Sequence, residues 1–188
     1  MNAPLIYVVG ASGSGKDSLL IYAREKLAGS REVIFAHRYI TRSPYAGSEN
    51  HIALRKSEYE ARLQLGLFAL NWNSHEFSYA LGVEINLWLD KGITVVVNGS
   101  REYISEARRA YPNLLLVWID VSAEKLRQRL KFRGRESDEE IERRLLRNDQ
   151  LQDSMQDGFV ICNDNQVEQA GEDLVDFIRS KTRREICV

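Results

Sequence analysis

Proline is scarce, with three in 188 residues, and cysteine scarcer still, with two. No apolar run approaches the ~18 residues that a membrane-spanning helix needs. Each shortage excludes something. Few prolines beside 44% apolar and 28% charged residues argue against a disordered chain. Cys162 and Cys187 lack metal-ligand spacing and make no disulfide framework, which fits a reducing, cytoplasmic setting. The first residues run directly into a strand-like segment, with no basic leader and no cleavage site, so no membrane association is expected. A formal net charge of −1 supplies no overall field that would draw the chain onto nucleic acid. No repeat or low-complexity tract is present, and no motif specifies an oligomeric partner. A fold of this length buries roughly 70% of its unfolded surface without a disulfide or metal staple, within the single-domain range.

What is present is alternation. Leu5-Ile6-Tyr7-Val8-Val9 is a continuous apolar run ending at Gly10, the pattern of a strand buried on both faces. Further strands are expected at 33–36, 93–97, 114–119 and 159–161. The stretch Asp17 to Leu27 has helical spacing at Leu19, Leu20, Ala23 and Leu27, with Gly29 as a stop. Other helices are expected over 57–65, 83–91, 101–110, 123–132, 138–150 and 166–180. Strands alternating with helices predict an α/β fold of three layers, a parallel five-stranded sheet between two layers of helices. The segment from about 37 to 82 breaks this rhythm with polar and aromatic residues and reads as an inserted lobe. With its flanking helix the lobe extends to about 91. The core then takes 1–36, 92–122 and 151–180, a lid takes about 123–150, and all belong to one domain. Lys181 to Val188 read as a frayed tail.

The strongest local signal is Gly10-Ala11-Ser12-Gly13-Ser14-Gly15-Lys16-Asp17-Ser18. It matches G-x-x-x-x-G-K and lies where a phosphate loop must, after a buried strand and before an amphipathic helix. Glycines let backbone N–H groups curl around phosphate oxygens, and the helix directs its positive dipole end at the same anion. Lys16 adds a charge for the β- and γ-phosphates of a nucleotide. The residue after the lysine is usually Ser or Thr, whose hydroxyl binds Mg²⁺. Here it is Asp17, with Ser18 next. A carboxylate so near a triphosphate is repulsive unless a cation lies between them. The neighbouring strand that usually ends in a second metal-binding acid ends in neutral Asn98. Asp17 is therefore expected to supply the carboxylate near magnesium, with Ser18 as the second candidate ligand; the alternative is that Asp17 only caps the helix start. Asp120 also ends a strand, but reads as a solvated loop acid.

Residues 123–147 carry seven arginines in a helix–loop–helix pattern. Arg129 and Arg133 share a face, Gly134 ends the first helix, and Ser137 with Glu140 forms a capping box for the second. Arg133 and Arg135 stand at the tip, Arg143 and Arg144 on the second arm. Arginine forks closing over a phosphate loop would stabilise charge developing on the γ-phosphate while shutting out water. A solvated helix pair laced by salt bridges to acids such as Glu136 and Glu139 is the competing reading.

These features, in this order, resemble the guanylate kinase branch of the nucleoside monophosphate kinases over nearly the whole chain. Thr41-Arg42-Ser43-Pro44-Tyr45-Ala46-Gly47-Ser48-Glu49 looks like that family's phosphate-acceptor motif, Arg129 to Gly134 like its lid, and Asn163-Asp164 like its adenine-contacting segment. The resemblance implies a P-loop NTPase fold using ATP and Mg²⁺, with Gly10 to Ser18, Arg129 and Asn163 on the nucleotide. It implies Lys16, Arg133, Arg135 and Arg144 as the catalytic cations. The departures concern the acceptor. Where the family reads guanine with a glutamate and an aspartate, this chain has Leu70 and Asn98-Gly99-Ser100, and Tyr45 replaces an acceptor-loop arginine. A buried guanine edge without carboxylate partners would leave donors unpaired at ~1–3 kcal/mol each.

The strings Gly-Ser-Gly-Lys-Asp-Ser-Leu from Gly13, His37-Arg38-Tyr39-Ile40-Thr41-Arg42, Gly47-Ser48-Glu49-Asn50-His51-Ile52-Ala53-Leu54 and Val97-Asn98-Gly99-Ser100-Arg101 resemble a narrower family, the ribose 1,5-bisphosphate phosphokinases of phosphonate utilisation. That resemblance implies a phosphorylated sugar acceptor and 5-phosphoribosyl 1-diphosphate as product. Arginine, tyrosine and amide donors suit such an acceptor. Arg42, Tyr79 and Arg101 are expected on its phosphates, and Glu49, Asn50 and His51 on ribose hydroxyls, although His51 reads equally well as structural. Trp72 and Trp88 read as core. Two rivals stay open: a nucleoside monophosphate acceptor, and a non-enzymatic binding module of the kind that tends to lose the lysine or lid arginines kept here.

Overall fold

The computed structural model describes residues 3–44, 49, 51–74, 76–134, 137–152 and 158–182. Two expected site residues, Asn50 and Arg135, lie outside them, as do Tyr45 to Ser48. In chain order the elements are β1 (Leu5–Gly10), α1 (Lys16–Lys26), β2 (Val33–Phe35), β3 (Tyr39–Ile40), β4 (Ile52–Ala53), α2 (Lys56–Gln64), β5 (Phe68–Ser74) and β6 (Phe77–Gly82). Then follow α3 (Glu84–Asp90), β7 (Thr94–Asn98), a 3-10 turn at Arg101–Tyr103, α4 (Ile104–Ala110), β8 (Leu115–Asp120), α5 (Ala123–Arg133), α6 (Asp138–Gln152), β9 (Phe159–Cys162) and α7 (Val167–Thr182). The last helix takes in two residues of the expected tail; the rest of the tail lies outside the described residues.

The main sheet has five parallel strands in the order β2-β7-β1-β8-β9. Its strand residues alternate between two apolar layers, as a period of two requires. Leu5, Tyr7 and Val9 join Val95, Val97, Leu116 and Trp118 on one face. Ile6 and Val8 join Val96, Val117 and Ile119 on the other, beneath Leu19 and Ala23 of α1 and Leu174, Val175 and Ile178 of α7. Ile6, Leu19, Leu174 and Ile178 are fully buried, each contributing about 1.5–3 kcal/mol over exposure. Because β1 is central, the loop that follows it opens at the C-terminal edge, where the connections diverge to opposite sides and open sheets bind their ligands.

The inserted segment forms a second sheet in the order β4-β3-β6-β5, mostly antiparallel. None of its strands was expected from the periodicity, since β3 and β4 are two residues each. Trp72 of β5 and Tyr79 of β6 are register partners and stack with centroids 5.7 Å apart and planes 5° from parallel. Both, with Leu70 and Leu81, belong to the same apolar cluster as β1 and β7, which ties the second sheet to the first. Trp72 is core as expected, and Trp88 packs against the same cluster.

Helices α5 and α6 pack together as the expected pair. Ser122 caps α5, its Oγ accepting from Lys125 N at 3.3 Å, and Gly134 ends that helix at φ 63°. Ser137 and Glu140 cap α6 reciprocally, at 2.8 and 3.3 Å. Leu126 and Leu130 of α5 and Ile141 and Leu145 of α6 form a separate apolar cluster with Ala11 of the phosphate loop, so the base of the hairpin rests on that loop. Among the described residues no helix is long and apolar enough to cross a membrane.

Candidate active site

A cavity of about 470 Å³ opens at the C-terminal edge of the main sheet. One wall is the loop from Gly10 to Gly15 with the start of α1; another is the second sheet, through Arg38, Arg42, Trp72 and Tyr79; the 3-10 turn and the lid arginines close the rest.

The loop wall is made by backbone geometry. Gly13 and Gly15 hold φ of 96° and 85°, the left-handed region where a side chain is strained. Space enforces the same choice, because a Cβ on Gly13 would come within 2.9 Å of Leu126 and one on Gly15 would collide with the Asn163 amide. The loop is also clamped from behind. Asn163 Nδ2 donates to Ser14 O at 2.7 Å, and Arg129 donates to Ser14 O at 3.1 Å and Asn163 O at 2.8 Å. Ser14 itself is fully buried behind the loop, and its Oγ has no hydrogen-bond partner among the described residues.

At the cavity floor a polar chain joins the loop to the second sheet. The Lys16 ammonium donates to Asn98 Oδ1 and, at 3.3 Å, to Asp17 Oδ1. Asn98 Nδ2 donates to Asp17 Oδ1 at 2.9 Å and Glu49 Oε1 at 3.2 Å. Glu49 then accepts from one edge of the Arg38 guanidinium, from Nε at 2.5 Å and from Nη2, and lies 3.5 Å from Arg42. Arg38 stacks 5.0 Å above the Tyr79 ring. Burial lowers the Lys16 pKa, with the Asp17 charge opposing. Burial also raises that of Asp17, but the charges of Lys16 and Arg38 outweigh it and hold the carboxyl below its ordinary value. Lys16 and Asp17 both line the cavity, 3.3 Å apart.

On the opposite side, Gly99 passes so close under the Tyr7 ring that any Cβ would strike it, and Ser100 N donates to Tyr7 Oη at 2.9 Å. This pins the turn carrying Arg101 and Glu102. Arg101 donates to Asn148 Oδ1 of α6 at 2.6 Å, and Glu102 pairs with Arg147. Arg144 reaches across to Ser12 Oγ at 2.8 Å, and Arg133 lines the same space.

The structure thus gathers Gly10, Ala11, Ser12, Gly13, Gly15, Lys16, Asp17, Ser18, Arg42, Glu49, Tyr79, Arg101, Arg129, Arg133 and Arg144 around one cavity. Three expected site residues have other engagements in this structure. His51 does not line the cavity; the ring is buried, with Nδ1 3.0 Å from Glu49 O and Nε2 3.3 Å from Arg42 O, so it fastens the acceptor segment to itself. Asn163 is buried against the back of the loop, and Asp164 accepts from Ser122 N at 2.8 Å, so neither presents its side chain as an adenine partner. The Glu49 carboxylate is engaged by arginine and Asn98 rather than standing ready for a hydroxyl. Arg38 and Arg147 were missed. Arg38 sits in a quoted string but its value depends on Glu49 and Tyr79; Arg147 lies one turn beyond Arg144, a spacing that could have found it.

No protein-family model matches the chain. Curated relatives are close. The ribose 1,5-bisphosphate phosphokinase PhnN of Thiobacillus denitrificans is 53% identical over 174 residues, 93% of this chain and 92% of that one. The protein of the same name from Desulfomicrobium baculatum is 57% identical over 143 residues, 76% of each chain. Among solved structures, guanylate kinase from Anaplasma phagocytophilum superposes with a TM-score of 0.72 over 98% of this chain and 88% of that one, at 13% identity, a likeness of fold.

Proposed function

The chain belongs to the ribose 1,5-bisphosphate phosphokinase family, and we propose that it transfers the γ-phosphoryl group of ATP to the 1-phosphate of ribose 1,5-bisphosphate, giving 5-phosphoribosyl 1-diphosphate and ADP. The observation that carries this reading is the charge of the cavity wall. Eight cationic side chains and three carboxylates line it among the described residues, and each carboxylate already has a cationic partner: Asp17 with Lys16, Glu49 with Arg38, Glu102 with Arg147. The excess of positive charge suits ATP with one divalent cation plus two phosphate monoesters, together about five to six negative charges. A purine base would instead need acceptors for its ring N–H and amino donors. Leu70, where a base-reading acid would stand, is 3% exposed in the core.

The loop amides and Lys16 would hold the β- and γ-phosphates, with Arg144 and Arg133 over them and Arg129 bracing the loop through Ser14 O. Asp17 and Ser18 would hold Mg²⁺, which when bound would offset the charge of the phosphates. Arg42, with Arg38 behind it and Tyr79 beside it, would turn the acceptor's 1-phosphate toward the γ-phosphorus. A phosphate oxygen of the acceptor forms the new P–O bond as the bond to the ADP oxygen breaks. That nucleophile is already anionic, so no general base is required, and positioning with charge neutralisation does the catalysis. Arg135 and Asn50, outside the described residues, belong to the lid tip and the acceptor segment in this reading.

Incubation with Mg-ATP and ribose 1,5-bisphosphate, followed by phosphorus NMR, should show the coupled diphosphate signals of the sugar product alongside ADP. Guanylate and adenylate, run in parallel, should accept little or no phosphate. Preferential transfer to either nucleotide would return the chain to the nucleoside monophosphate kinases.

A further inference from the structure

Arg101 and Arg147 meet where the main sheet faces the lid, away from the loop that would hold ATP. Arg101 begins the 3-10 turn after β7, on backbone pinned by the Gly99–Tyr7 approach. Arg147 comes from α6. Positions 144, 147 and 148 share one face of that helix, three and four residues apart, and their contacts run in sequence across the cavity. Arg144 touches Ser12 of the loop, Arg147 pairs with Glu102, and Asn148 accepts from Arg101. Arg101 and Arg147 both line the cavity.

Two guanidinium groups held in one wall repel each other. Burial, and then the Arg147 charge, push Arg101 down to about 10. Among the described residues the one carboxylate of this wall, Glu102, pairs with Arg147, and both are about half exposed, a kind of pair that contributes only about 0–1 kcal/mol. The arrangement therefore holds more positive charge than it neutralises, as planar forks that fit phosphate oxygens two at a time. The other acceptor-side arginines, Arg38 and Arg42, are linked through Glu49 and Asn98 to Lys16, the end where transfer would occur.

We propose that Arg101 and Arg147 form a second phosphate subsite, which grips the non-reacting 5-phosphate of the acceptor while Arg38 and Arg42 face its reacting phosphate. This rests on the sugar-bisphosphate reading above and assigns that substrate's other end. The 5-phosphate replaces Glu102 as the partner of Arg147. Because Arg147 belongs to the lid and Arg101 to the sheet, the bound phosphate also joins the two, so that a complete acceptor favours a closed lid over ATP. A sugar carrying one phosphate lacks that bridge.

The test compares kcat/KM for ribose 1,5-bisphosphate with kcat/KM for ribose 1-phosphate, which keeps the reacting group and lacks the 5-phosphate. The wild-type enzyme should prefer the bisphosphate strongly. In Arg147→Gln and in Arg101→Gln that preference should fall about 10- to 100-fold, the worth of a charge-assisted hydrogen bond, and Arg147→Lys should keep part of it through charge without the fork. Equal losses on both acceptors would overturn the subsite, since the arginines would then serve the lid or ATP alone; an unchanged preference would overturn it as well. Should Arg101→Gln fail to fold, half-exposed Arg147 carries the measurement, with a thermal melt as control. Absence of wild-type turnover on ribose 1,5-bisphosphate would remove the acceptor reading itself, a result separate from any loss of preference.

Discussion

The two halves of the cavity are built by different means. The half proposed for ATP is nine consecutive residues, Gly10 to Ser18, whose shape comes from glycine backbone and a clamp of hydrogen bonds behind it. The half proposed for the acceptor draws Arg38, Arg42, Glu49, Tyr79, Asn98, Arg101 and Arg147 from separate segments and holds them by pairing acid against base. A site made of backbone survives most side-chain changes but fails when a glycine is filled. A site made of paired charges fails when one partner is removed, because the other is left behind without solvent.

The donor half should depend most on Lys16, the one cation rooted in the loop itself. Lys16→Ala is expected to lower kcat by about 10³-fold, as loss of a preorganised charge at the transition state does, with the melting temperature nearly unchanged. Retained turnover would contradict both the mechanism and the contrast. Arg38→Ala should invert the pattern. The Arg38 and Glu49 side chains are 11% and 10% exposed, so truncation strands a carboxylate and should cost about 3 kcal/mol, a fall of roughly 6–12 °C in Tm for a chain of this size. The double replacement Arg38→Met with Glu49→Leu should recover most of the melting temperature and none of the acceptor affinity. Recovery of both would show that the pair is structural alone.

Asp17 lies on the seam between the halves, bonded to Lys16 on one side and Asn98 on the other. Asp17→Ser would restore the hydroxyl that phosphate loops ordinarily carry. If Asp17 supplies the acid that Asn98 lacks, the variant should need about tenfold more Mg²⁺ for half-maximal rate, an estimate equal to the loss of one anionic oxygen ligand. Wild-type magnesium dependence would leave Asp17 as a helix-start residue only.

The same division explains what could be read from the sequence. Among the described residues, the five strands of the main sheet and the seven helices fall where the sequence pattern places them, because burial on two faces and amphipathic spacing are local signals. The capping box at Ser137 and Glu140 and the stop at Gly134 are local too. The second sheet was not legible. Two-residue strands carry no period, and β5 mixes Asn71 and Asn73 with aromatic residues whose register is set by β6. His51 and Asn163 were placed by likeness to a motif, yet the His51 ring meets Arg42 O and the Asn163 amide donates to Ser14 O, carbonyls that the fold brings near. Arg38 was missed for the complementary reason. An arginine's role is fixed by the acid and the ring it meets, and Glu49 lies 11 residues along the chain from Arg38.

Glu102 offers the finest distinction between a carboxylate that organises and one that merely fills a place. It is the acceptor-side acid that stands half exposed, unlike Glu49. If it occupies the seat of a substrate phosphate, Glu102→Gln removes a competing charge and keeps the side-chain volume. The KM for ribose 1,5-bisphosphate should then fall about two- to fivefold, in line with the 0–1 kcal/mol of an exposed ion pair, and its dependence on salt should steepen as Arg147 meets the substrate unscreened by a neighbour. A raised KM would mean that Glu102 aims the Arg147 fork. In that event the acceptor half would be preorganised by acids at both of its ends, rather than at the Glu49 end alone.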